Sequence, residues 1–152
     1  MYIKYRFIFP EEIIKKYKQN DRFAQFWLDG QVMTDMEPYM PRVTGQFIQL
    51  TKIRSVSLQG SGVVCAGVYP MGRFLYYGKK MIDPATGKGP RRIVLKDGAV
   101  IYRWRLGSHP VATNEPLHYS NPLAKPEWFE VAKRKNLKAW QDGYRRALIN
   151  GR

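Results

Sequence analysis

Cysteine is almost absent: Cys65 stands alone in 152 residues, so no intrachain disulfide can form. A reduced, cytosolic site of synthesis is expected. Histidine is nearly as scarce. His109 and His118 lie nine residues apart, with no cysteine or adjoining carboxylate pair to complete a metal site. Carboxylates are few, 12 against 26 lysines and arginines, and they are dispersed. An acid-cluster nuclease working through Mg²⁺ needs more convergence than that. No apolar run reaches the length of a membrane-spanning helix. The opening Met1–Pro10 lacks the long apolar core and small-residue cleavage site of a signal peptide. No nucleophile elbow, zinc-protease helix or Walker loop is written in the chain. "GKGP" at Gly87–Pro90 has the glycines and lysine of a phosphate loop but neither its spacing nor the following hydroxyl. An enzyme is therefore not expected, nor a cofactor or a metal.

What is present is positive charge. The formal net charge is +14, which implies acidic partners: nucleic acid, an acidic protein surface or an anionic membrane. Residues 71–112 hold nine Lys/Arg against Asp83 and Asp97, and residues 121–152 hold eight against Glu127, Glu130 and Asp142. The first seventy residues are closer to balance. No block is purely basic, which argues against a disordered nucleic-acid arm. Hydrophobic residues make up 44% of the chain, enough for a core, and the length fits a single domain, 1–152.

The periodicities give a coarse map. Ile3, Tyr5, Phe7 and Phe9 alternate with Tyr2, Lys4, Arg6 and Ile8, a period of two that predicts a short strand. Pro10-Glu11-Glu12 opens a helix, and Asn20 or Asp21 can cap a second. Phe23, Phe26, Trp27, Val32 (or Met33) and Met36 recur at helical spacing up to Pro38. Pro38–Gly45 must be loop. Phe47–Val68 reads as strand, a glycine turn and strand. "RFLYYG" is a short helix or a strand ending at Gly78. "DPATGKGP" is a turn, and Arg91–Leu106 is a hairpin about Asp97-Gly98. In its second arm Val100, Tyr102, Trp104 and Leu106 share one face, with Arg103 and Arg105 on the other. Gly107–Pro126 reads as irregular. From Pro126 to Ile149 a helix carries Trp128, Ala132, Trp140, Tyr144 and Leu148 on one stripe.

The stretch Tyr69–Gly89, "YPMGRFLYYGKKMIDPATGKG", mixes tyrosines with lysines, the composition of a contact surface. Two uses are open. Tyr76, Tyr77, Tyr102 and Trp104 can stack bases while Arg73, Lys79, Lys80, Lys88, Arg91, Arg92, Arg103 and Arg105 meet phosphates. Alternatively the aromatics are core and the basic residues are a solvated face. Cys65, within an apolar strand pattern, reads as a buried inert thiol.

Three segments taken together resemble a known family. They are "EPYMPRVTGQF" (Glu37–Phe47), "YPMGRFLYYGKKMIDPATGK" (Tyr69–Lys88) and "KPEWFEVAKRKNLKAW" (Lys125–Trp140). In order and spacing they are similar to the minor capsid proteins of tailed bacteriophages of Gram-positive hosts, relatives of the neck, or head–tail joining, proteins. The family's Tyr-Ala-Arg is Met71-Gly72-Arg73 here, and Gly72 is expected to loosen a turn of helix. The resemblance implies an α+β fold: an N-terminal helix, a small antiparallel sheet with a projecting loop and hairpin over 79–106, and a long C-terminal helix packed on the sheet. It implies a structural virion protein, made in the host cytoplasm, whose copies form a ring in the neck and let DNA pass. The implied partners are copies of itself, the portal, connector or stopper proteins, tail-terminator or tail-tube proteins and, non-specifically, the passing double-stranded DNA; no membrane is involved. On this reading Tyr69, Arg73, Tyr76, Tyr77, Gly78, Lys79, Lys80 and Asp83 form a subunit interface. Arg91, Arg92, Arg103 and Arg105 face the DNA channel or an acidic neighbour. The competing expectation is a basic DNA-binding protein acting as a monomer or dimer.

Overall fold

The computed structural model describes residues 1–7, 10–18, 20–69, 71–98 and 100–151, so Ile8 and Phe9 of the expected first strand lie outside the described residues. Strand β1 (Tyr2–Lys4) is followed by α1 (Glu11–Lys16), which has acids in its first turn and lysines in its last, as the helix dipole favours. Helix α2 (Asp21–Met36) runs into a 3-10 turn, Glu37–Tyr39, and α3 covers Gln46–Val56. Then come β2 (Val63–Cys65), α4 (Gly72–Tyr77), β3 (Lys79–Ile82), β4 (Arg91–Val94), β5 (Val100–Arg103), β6 (Val111–Pro116) and α5 (Trp128–Asn150). The class is α+β, as expected. The strands form three separate two-stranded antiparallel pairs, β1–β2, β3–β6 and β4–β5.

The core is built on α2 and α5. Ala24, Leu28, Val32 and Met36 make a four-residue-spaced row on α2. The expected row of Trp128, Ala132, Trp140, Tyr144 and Leu148 on α5 is buried throughout. Phe23 and Phe26 were expected on the core stripe of α2, but they are 41% and 50% exposed. They lie off the row that begins at Ala24, which is the one facing α5. Gly143 on α5 admits the Trp27 ring, since a Cβ there would lie 2.0 Å from Cη2. Two polar pins cross the same seam: Trp140 Nε1 donates to Asp35 Oδ2 at 2.6 Å, and the Tyr144 hydroxyl donates to Asp21. Asn20 precedes α2 but does not cap it through its side chain; its Nδ2 donates to the Leu148 carbonyl at 2.8 Å. The first turn of α5 reaches beyond the helices, with Phe129 against Tyr5 and Trp128 against Phe47 and Tyr76.

Two expectations from periodicity fail. Phe47–Gln59, expected as strand, is α3 and the turn after it. The buried positions are Ile48, Thr51 and Ser55, at helical spacing. Two of these are hydroxyl residues whose groups are satisfied: Thr51 Oγ1 donates to the Phe47 carbonyl, and Ser55 Oγ both donates to the Cys65 carbonyl and accepts from its amide. The residues that suggested a strand, Leu50, Ile53 and Val56, are exposed. The segment expected to be irregular contains β6. Its one proline, Pro116, is the last residue of the strand, and among the described residues β6 pairs with β3 alone.

Candidate interaction surface

Gly72 opens α4 because two backbones touch there. A Cβ on Gly72 would lie 2.3 Å from the Gly67 carbonyl. The glycine expected to loosen this segment permits its close approach instead. Gly78 ends α4 in the left-handed conformation, φ 63°, and the chain turns directly into β3. The Tyr119 hydroxyl donates to the Leu75 carbonyl, and burial pushes that phenol up to about 12.

This geometry divides the expected interface residues. Tyr76 is 4% exposed, edge-on to Trp128 at 4.9 Å, and belongs to the core; burial raises its hydroxyl pKa well above the ordinary value. Asp83 is also buried. Its carboxylate accepts from the Ala85 amide at 3.0 Å and from Arg105 Nε at 3.2 Å. Those contacts, the amide first, hold it below the usual carboxylate range. Lys80 pairs with Glu115 at 3.0 Å across the β3–β6 ladder. Tyr69 is 93% exposed, and Tyr77, Arg73 and Lys79 are exposed beside it. The stretch is thus half core and half surface.

The arginine group is divided as well. Register sets Arg91 directly opposite Arg103, and Arg92 opposite Tyr102. Like charges directly across a ladder destabilise it. Arg105 lies beyond β5 and is tied to Asp83, so it is not part of the projecting face. Tyr102 and Trp104 were expected to hold the strand to the body. Tyr102 is 46% exposed, and Leu106, expected on the same face, is fully exposed, whereas Trp104 is half-buried. The strand ends at Arg103, so its alternation cannot extend to 104 and 106. Asp83 meets both ends of the hairpin: its carboxylate accepts from Arg105, and its backbone amide donates to the Lys88 carbonyl at 2.8 Å.

Between the hairpin and the body lies a cleft of about 550 Å³. Val43, Phe47 and Leu50 supply one wall, and Val68, Tyr69 and Leu75 together with Val100, Ile101 and Tyr102 of the hairpin are among its other lining residues. Sequence reasoning missed it because α3 was read as strand, which hid the wall. The signal available was the loop Pro38–Gly45 running into Phe47. Among the described residues no cluster of His, Cys, Asp or Glu suited to a metal ion occurs, and no helix is long and apolar enough to cross a membrane. No family model, curated protein or solved structure matches this chain.

Proposed function

We propose that the chain is a non-enzymatic structural protein of a phage neck, assembling as a ring that joins the head to the tail and lets DNA pass. The reading starts from the resemblance of residues 37–47, 69–88 and 125–140 to the minor capsid family. The observation that carries it is the hairpin β4–β5. Arg91 and Arg103 face each other across its ladder. That arrangement costs stability in an isolated chain. It is offset when a partner supplies negative charge, either an acidic neighbour in the stack or the phosphates of passing DNA. Contacts to sliding DNA must be individually weak and go to the backbone, which arginines on an exposed hairpin provide. Exposed Tyr69 and Tyr77 offer further contact area between copies.

The same arginine pair favours a second reading, a basic DNA-binding protein acting alone or as a dimer. Electron microscopy of the purified chain mixed with portal and connector proteins separates the two. Rings stacked on the portal are expected. A chain that stays monomeric or dimeric, but binds short duplexes at nanomolar strength with a steep salt dependence, sinks the neck reading.

A further inference from the structure

We infer that the cleft beside the hairpin is a docking site for an extended, acidic segment of a different protein, which adds as a third strand to the free edge of β5. Three successive residues, Val100, Ile101 and Tyr102, border the cleft. Side chains alternate between faces along a strand, so three in succession place the strand's edge, not a face, at the opening. Among the described residues β5 pairs only with β4. Alternate N–H and C=O groups of β5 therefore point away from β4 toward the cleft. An unpaired edge bordering an apolar cleft suits strand addition: the ladder supplies affinity and the apolar lining takes every second side chain. The wall is exposed where it should be for this, with Val43 79% and Leu50 47% accessible.

Charge selects the occupant. No Asp, Glu, Lys or Arg lines the cleft itself, but Arg91 and Arg103 of the hairpin directly follow the lining residues Pro90 and Tyr102. The incoming strand should alternate apolar residues with Asp or Glu. A second copy of this chain suits the site poorly. The chain is at +14, and the carboxylates of Asp21, Asp29, Asp35, Glu37 and Asp83 are already engaged within it. Nucleic acid fits less well than protein, because it has no peptide backbone to continue a ladder on the free edge, although Phe47, Tyr69, Tyr102 and Tyr119 are among the lining residues. The inference goes beyond the neck reading and does not depend on ring formation.

The test uses the whole chain, ¹⁵N-labelled, and a ten-residue peptide alternating valine with glutamate. Controls are the same peptide with lysine for glutamate, a thymidine decamer and a dilution series without ligand. The glutamate peptide is expected to bind at least ten-fold tighter than the lysine peptide and to slow amide exchange at Val100–Arg103. Leu50→Asp, at an exposed position, should weaken it ten-fold with the circular dichroism unchanged. Arg103→Glu should weaken it in the same way. Absence of binding overturns the proposal. So does binding without protection of the β5 amides, or equal affinity for the lysine peptide. A tighter complex with the thymidine decamer, or a concentration-dependent dimer that buries the cleft, replaces the proposed occupant and overturns it equally.

Discussion

Gly143, Trp140 and Asp29 are residues whose replacement the fold should tolerate poorly. A methyl group at Gly143 would overlap the Trp27 ring, and a rigid indole has to move bodily to escape it. Gly143→Ala should therefore destabilise the chain by roughly 1–3 kcal/mol, the range for overpacking, although alanine is the better helix former. Trp140→Ala removes a buried ring and its bond to Asp35 and should cost about 3–5 kcal/mol. Urea unfolding at unchanged slope measures both; a loss well under 1 kcal/mol at Trp140 would mean that the α5 stripe faces a partner. Asp29 is 2% exposed and gathers four donors: the Tyr5 hydroxyl, Gln25 Nε2 and the amides of Gly60 and Gly62. It ties β1 and the glycine turn to α2. Asp29→Ala strands two backbone amides, so it should cost more than Tyr5→Phe, by at least ~1 kcal/mol in the same assay. Nothing in the sequence marks Asp29 out, because a carboxylate on a helix ordinarily reads as surface. The tryptophans of α5 were legible for the opposite reason: large apolar groups at helical spacing have few places to go but inward.

At the scale of elements, Asp83 ties the end of β3 to the hairpin, by its carboxylate to Arg105 and by its backbone amide to Lys88. Asp83 sits below its ordinary pKa through the Ala85 amide and then Arg105. A depressed folded value means that its contribution is fully present above the ordinary carboxylate range and is lost as pH falls through the folded value. The tie to Arg105 should therefore weaken, and the hairpin loosen, as pH falls through that depressed value. Amide exchange in β4 and β5, compared with α5 between neutral pH and about pH 3, checks this. Asp83→Asn at neutral pH should reproduce the loosening without acid. Unchanged exchange in β4 and β5 of the Asp83→Asn variant would show that the hairpin is held elsewhere. The hairpin was legible because Asp97-Gly98 between two β-rich runs is a local signal. Helix α3 was not, because its inward stripe is Ile48, Thr51 and Ser55. Hydroxyls satisfied by the backbone of β2 and of the helix itself replace the apolar residues that periodicity counts. The cleft was lost with it, since its wall is the outer face of that helix.

For the whole molecule the deciding question is where the surplus charge goes, and Arg103 lets it be asked without disturbing the fold. Arg103→Glu turns the like-charge pair with Arg91 into an opposite-charge pair. The change should stabilise the isolated hairpin by about 0.2–1 kcal/mol. Any loss of function in this variant therefore cannot be blamed on unfolding, which a double change including Arg105 could not guarantee, because Arg105 is tied to Asp83. If the hairpin meets an acidic neighbour, the variant should fold better, yet particles should fail to join heads to tails. If it meets phosphates in a channel, joining should proceed while DNA passage becomes slow or leaky. Duplex binding by the isolated chain should then lose about one to two in its slope against log salt. Electron microscopy of particles and a salt titration on a short duplex read the two outcomes separately. Normal joining, normal passage and an unchanged salt slope, in a variant of raised stability, would show that the arginine pair meets only solvent. The neck reading would then lose the observation that carries it.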